Sequence, residues 1–149
     1  MVILEIAAKS KPTMISNVNF APPFPGFAHT VMPLFSRNLL VVTQEATRMN
    51  GEDHPKLVWL MDNRLETNPV IISTLPMADT DDFFSRPGRY GAHNIYENSP
   101  GPTWYHSEDL ILATFLNGGM RVFDISNPFQ PKEVTHFVPP LTEGASSVS

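Results

Sequence analysis

Cysteine is absent from the 149 residues. That excludes disulfides and any thiolate metal site. Runs of one charge are absent as well. Ten Lys and Arg and fifteen Asp and Glu are scattered along the chain, for a formal net charge of −5. Without a basic run there is no footprint for nucleic acid. No apolar run approaches the ~18 residues that a membrane-spanning helix needs. The opening "MVILEIAAKSKP" has neither a basic leader nor a small-residue cleavage site. It reads as a strand rather than a signal peptide, and the expectation is a soluble protein, cytoplasmic by default. No P-loop, dinucleotide fingerprint or Gly-x-Ser-x-Gly nucleophile turn occurs. Long helices are disfavoured by an excess rather than a lack. Fifteen prolines are about twice the usual share of roughly 5%, and proline breaks helix interiors.

What is present is a globular composition, 42% hydrophobic and 17% charged, long enough for one domain with a real core. Three stretches align: "ILEIAAKSKPTMISNV", "LMDNRLETNPVIISTL" and "VFDISNPFQPKEVTHF". In each, an apolar run ends in an acid (Glu5, Asp62, Asp124) and a proline follows seven positions later (Pro12, Pro69, Pro131). Each then resumes with β-branched or apolar residues: Met14 and Ile15, Ile71 and Ile72, Val134. The acids lie 57 and 62 residues apart, and Ala-His recurs 64 residues apart, at His29 and His93. A shared period makes the two histidines equivalent positions in two copies of one unit.

Each full copy reads as four strands. They are "HTVMPLF", "NLLVVTQ", "KLVWLMD" and "VIISTL" in the first, and "HNIYEN", "DLILATFL", "MRVFDI" and "KEVTHFV" in the second. Asn117-Gly118-Gly119 between two of them signals a tight hairpin, because Asn and Gly accept positive φ. Asp62 and Asp124 read as turn formers rather than general acids. The carboxylate takes a backbone N–H ahead of it, and Pro69 or Pro131 then fixes φ. "QEATRMNGED" reads as a long hairpin loop with one helical turn.

An all-β chain with four antiparallel strands in each ~40–60-residue repeat has the signature of β-propeller blades. A stacked sandwich accounts for the strands but not for the recurring Ala-His and acid-to-proline units. The expected organisation is a partial propeller of about two and a half blades. Residues 1–20 supply the last two strands of an incomplete blade, 24–79 and 88–140 are blades, and 141–149 is a flexible polar tail. Closure needs at least about four blades. The expected partners are therefore the remaining blades of a longer chain, or other copies of this one.

"GGMRVFDISNPFQPKEVTHFVPP" resembles the bacterial LVIVD-repeat proteins, which are predicted β-propellers. "FPGFAHTVMPLFSRNLLVVTQEAT" and "GRYGAHNIYEN" look like other segments of the same proteins, so the resemblance spans residues 1–140. Its most specific element, Asp-Ile-Ser-x-Pro-x-x-Pro, is complete only at 124–131. The turns at Glu5 and at Met61-Asp62 are degenerate copies. The resemblance implies a chain of several hundred residues with further blades. It brings no common activity with it.

In a propeller the first strand of each blade lines the central channel, so His29 and His93 are expected to point toward a common axis. Converging neutral imidazoles suit Zn, Cu or Fe. Alternation along a strand places His93, Ile95 and Glu97 on one face. Glu97 then serves as a further ligand or as the partner that orients His93. The alternative is architectural, with both histidines bonding neighbouring backbone. Two histidines are also one short of the roughly three protein ligands of a catalytic zinc site.

His54 and His106 read as solvated loop residues, and His136 as a residue at the rim or between blades. Asp79, Asp81 and Asp82, near Arg86 and Arg89, form either a ligand loop lacking the glycine and final glutamate of an EF-hand or a connector with surface ion pairs. Trp59, Phe123 and Phe137 suit packing between blades, and Trp104 and Tyr105 sit in a loop. Two functions follow. One is a scaffold that binds an unknown protein or small molecule without catalysis. The other is a section of a metal-dependent propeller enzyme with His29 and His93 as ligands.

Overall fold

The computed structural model describes residues 1–77, 83 and 87–140. The Asp79, Asp81, Asp82 and Arg86 loop and the tail at 141–149 lie outside the described residues. The β-branched and aromatic runs form nine strands among the described residues: β1 (Val2–Glu5), β2 (Thr13–Asn17), β3 (Ala28–Leu34), β4 (Leu39–Gln44), β5 (Val58–Asp62), β6 (Val70–Thr74), β7 (Leu110–Thr114), β8 (Met120–Asp124) and β9 (Lys132–Phe137). They make three antiparallel sheets in chain order, β1–β2, β3–β4–β5–β6 and β7–β8–β9. The chain is all-β in class, as its composition implied. Its loop at 45–57 carries a single 3-10 turn, Met49–Gly51.

The sheets stack in layers because the central one is apolar on both sides. All six residues of β4 are buried. Leu39 and Val41 of β4, with Val58 and Leu60 of β5, face a core shared with Ile111, Ala113, Phe115 and Phe123 of the third sheet and its hairpin. Leu40, Val42, Trp59 and Met61 face the opposite way, against Met1, Ile3, Val18, Phe20 and Phe24. Trp59 is held between Phe20, stacked at 5.4 Å, and Phe24, edge-on at 4.6 Å. Alternation of side chains across a strand thus divides one run of six apolar-to-polar residues between two cores. Trp59 and Phe123 pack between sheets as their spacing suggested, whereas Phe137 is exposed.

The three acid-to-proline units have the same backbone. Glu5, Asp62 and Asp124 accept the N–H two residues ahead, from Ala7, Arg64 and Ser126, at 2.6, 2.9 and 2.8 Å. A second bond closes each turn: Lys11 N–H to Ala8 O, Asn68 N–H to Leu65 O and Gln130 N–H to Asn127 O, at 2.8, 2.8 and 3.0 Å. Each acid pairs with the residue eight positions on, Glu5 with Thr13, Asp62 with Val70 and Asp124 with Lys132. In each, the register slips just before the acid: between Ile3 and Leu4, Leu60 and Met61, and Val122 and Phe123. One extra residue on one strand produces such a bulge and bends the strand. The repeat read from the sequence is therefore a repeat of bonds and register, degenerate turns included.

The second and third sheets are also latched by polar groups. The Arg37 guanidinium donates to the carbonyls of Glu108, Ile125 and Ser126 at 2.7, 2.9 and 3.2 Å. Ser73 Oγ donates to Pro128 O at 2.5 Å.

One expected strand is irregular. "HNIYEN" makes one isolated bridge, Ile95 to Ala113, and Tyr90 upstream of it makes another, to Leu116, although His93 N–H still reaches Thr114 O and Tyr96 N–H reaches Leu112 O, both at 2.9 Å. Positive φ at Gly91 and Asn98 bounds the stretch, and within it His93 N–H to Thr114 O and Thr114 N–H to Asn94 O set two residues against one, as in a bulge. Ile95 enters the core while Glu97 is exposed.

Truncation of the fully buried Phe123 to Ala should cost about 3–5 kcal/mol in urea unfolding, the usual range for a core ring. Asp124→Ala should lower the melting temperature, because the Ser126 N–H loses its acceptor. Asp124→Asn keeps a side-chain oxygen there and should stay closer to the parent. The reverse order of the two variants would contradict the turn-forming role.

Candidate metal centre

His29 is the second residue of β3. Gly26 and Phe27, at φ of 80° and 65°, turn the chain sharply just before it. Gly91, at φ 149°, occupies the place before Ala92-His93 that Phe27 occupies before Ala28-His29. A Cβ on Gly91 would lie 2.6 Å from Lys56 Cβ and 3.0 Å from Ala46 Cβ. Glycine is therefore needed for this segment to press against the 46–56 loop.

Thr43, buried on β4, sets the spacing between the two units. Its Oγ1 accepts the Thr30 N–H at 3.1 Å and donates to His93 O at 2.6 Å. In the next sheet Thr114 Oγ1 accepts the Asn94 N–H at 3.0 Å. In each unit, then, a threonine on the neighbouring strand receives the amide just after the histidine.

The two imidazoles come to lie side by side, with ring centroids 4.5 Å apart. A carboxylate completes the group. Glu45, the first residue after β4, donates its N–H to Phe27 O at 2.8 Å. Its Oε2 lies 4.0 Å from His29 Nε2 and its Oε1 lies 3.7 Å from His93 Nε2. One ligand atom from each of His29, Glu45 and His93 falls within 4.8 Å of the others. Zinc at bond lengths of about 2.0–2.2 Å holds its ligand atoms roughly 3.0–3.5 Å apart, so small side-chain rotations bring these three together. The side chains are 35%, 22% and 25% exposed respectively, which leaves a side of the group open to solvent or ligand.

The surroundings orient the donors. Arg89 Nη1 donates to Glu45 Oε1 at 2.9 Å and to Ala46 O at 3.1 Å. His29 Nδ1 bonds Thr30 Oγ1 at 2.9 Å, and His93 Nδ1 bonds the Asn94 amide nitrogen at 3.2 Å. Rotating that amide by half a turn presents its oxygen to a His93 Nδ1–H and frees Nε2 as a ligand. Burial, then the neighbouring His29 and also Arg89, hold the His93 imidazole below its ordinary pKa, against the opposing pull of Glu45. The neutral form, the one that ligates metal, is thereby favoured.

Glu97 is not in this group. It lines a separate cleft of 430 Å³ with Val31, Phe35, His106 and Glu108. The expectation that it supports His93 rested on a regular strand, and the pairing of both His93 and Asn94 with Thr114 breaks that regularity next to the histidine. Glu45 and Thr43 are the partners that sequence reasoning missed. The signal was the β3–β4 hairpin: counting back from its turn sets Gln44 opposite His29, a bulge between Ala28 and Val31 moves it opposite Ala28, and either register brings Glu45 beside the start of the histidine strand. His54 and His106 are exposed, as expected; His136 is exposed too, and its Nδ1 lies 2.8 Å from Glu133. Trp104 and Tyr105 are exposed.

A buried ion pair fixes the floor of the site. Lys56 is 1% exposed, and its Nζ lies 3.1 Å from Asp53 Oδ2. It also donates to Gly26 O at 3.2 Å and lies 5.6 Å from the centre of the Phe27 ring. Asp53 Oδ2 accepts the Thr47 N–H and hydroxyl, both at 2.9 Å. The loop and the turn that launches β3 are thus tied to one carboxylate.

No family model, curated protein or solved structure matches this chain. No helix among the described residues is long and apolar enough to cross a membrane.

Burial pushes the Asp53 carboxyl up, but the Thr47 bonds and Lys56 outweigh it, and its pKa lies below the ordinary value. A depressed carboxyl contributes stability above its unfolded pKa of about 3.9, and that contribution is lost as pH falls through the folded value. Melting temperatures measured from pH 6 downward should therefore fall less steeply at the acid end for Asp53→Asn than for the parent, from a lower starting value. Parallel curves would remove Asp53 from the acid response.

Proposed function

We propose that this chain is a section of a β-propeller of the LVIVD-repeat type, and that it binds one divalent transition metal at His29, Glu45 and His93. The observation that carries the metal reading is the convergence of three ligand atoms within 4.8 Å, drawn from equivalent histidines of two repeat units and from the β4–β5 connector of the first. The propeller reading is supported by the common register of the three acid-to-proline units.

Two imidazoles and one carboxylate suit Zn, and with open positions they suit Fe(II); Cu is the third candidate. Arg89 engages Oε1 of Glu45, so Oε2, which lies toward His29, is the oxygen that would be offered to an ion. Such an ion lends Lewis acidity to a bound water or ligand. His29, Glu45 and His93 hold it, Thr43 sets the histidine spacing and Arg89 aims the carboxylate. The scaffold reading, binding without catalysis, is favoured by the apolar side chains exposed on the first and third sheets among the described residues.

Chelated protein titrated with Zn(II), and with Co(II) for its visible spectrum, should take up one ion per chain. His93→Ala and Glu45→Gln should each weaken binding by at least about 10-fold, since even the partners that only orient ligands are worth 10–100-fold. His106→Ala, outside the group, should bind as the parent does. Equal uptake by all four proteins would refute the site.

A further inference from the structure

Both sheet-to-sheet contacts in the chain are made the same way round. In each unit, the residue two before the acid (Ile3, Leu60, Val122) and the residue one before it (Leu4, Met61, Phe123) point to opposite faces. Ile3 packs toward the central sheet and Met61 faces back toward the first. Leu60 packs toward the third sheet and Phe123 faces back toward the central one. Each sheet therefore presents a forward face to the back face of the sheet that follows it. The contact is head to tail, not like against like.

Among the described residues, that arrangement leaves one face of each kind uncovered. The back face of the first sheet carries Val2, Leu4 and Met14. The forward face of the third carries Leu110, Leu112 and Val122, with Met120 and Phe137 at the hairpin end. Val2, Leu4, Met14, Met120 and Phe137 are between 41% and 64% exposed. They stand in the strands whose counterparts form the two internal interfaces.

We infer that a second copy of this chain docks head to tail, seating its Val2, Leu4 and Met14 face on the Leu112, Met120, Val122 and Phe137 face of the first. Continuity with the internal interfaces selects this occupant. A forward face is covered twice within the chain, each time by a back face. Among the described residues the uncovered back face is the one at the other end of the same molecule. A symmetric dimer would set forward face on forward face, a contact the described residues nowhere make. Head-to-tail contacts are heterologous, so they close into a ring if the rotation allows and otherwise extend as a filament.

Complementation tests the direction of the contact. Leu4→Glu with Met14→Glu blocks the back face, and Met120→Glu with Phe137→Glu blocks the forward face. All four positions are exposed, and unchanged circular dichroism and melting temperature check the fold. In sedimentation velocity of the 149-residue chain, the parent should grow beyond the monomer as concentration rises. Each blocked variant alone should stay monomeric, and an equimolar mixture should give a dimer that grows no further. Repeating the series with chelator separates this contact from cross-linking by metal, because the assembly should persist. A parent that stays monomeric, as it would if another sheet of a longer chain covers these faces, overturns the proposal. So does a mixture that stays monomeric, or a blocked variant that dimerises alone.

Discussion

A sheet that is apolar on both sides cannot face water on either. The central sheet is in that position, with β4 buried along its whole length and β5 buried except at Asp62. It requires one layer toward Ile3 and Phe20 and another toward Phe115 and Phe123. Stacked sheets lie about 10 Å apart, so groups at equivalent positions of adjacent layers become neighbours across the seam. His29 and His93 meet in this way, by side chains leaning across the seam from two turns of similar sequence. Their proximity is a by-product of the core.

Polar groups adjust what the core only brings near. Thr43 has one hydroxyl and uses it in both directions, as acceptor for its own sheet and donor to the next. Glu45 stands between two imidazoles and a guanidinium, and Lys56 and Asp53 hold the turn beneath. Lys56 is almost fully withdrawn from water, and Asp53 and the Gly26 carbonyl stand where water otherwise would. Removing one member of such a pair typically costs about 3–5 kcal/mol, because the other is left buried and unpaired.

Much of this was legible in the sequence, and the exceptions have physical causes. The eight strand runs of the two full copies were visible in their β-branched residues, and seven of them are strands with ends shifted by a residue or two. The roles of Asp62 and Asp124 followed from the ability of a short carboxylate to cap its own turn. His29 and His93 were linked by their Ala-His context alone. Glu97 was named because alternation was carried along a stretch where His93 and Asn94 both pair with Thr114. Glu45 is distant in sequence from His93, and its position depends on hairpin register, which local pattern does not encode. Phe137 looks like a core residue by type, but nothing in the chain's own pattern says which face of β9 has a neighbour.

The acid-to-proline turn also acts as a ruler. Its two bonds and the proline fix a step of seven positions from acid to ring in three copies whose sequences otherwise diverge. A side chain in a strand has only two faces to choose between, so one residue inserted there would exchange inside for outside along the strand that follows. The connectors at 45–57 and 98–109 carry no such count. Evolutionary drift in length should collect in those connectors, while the ruler tolerates change of letters but not of number.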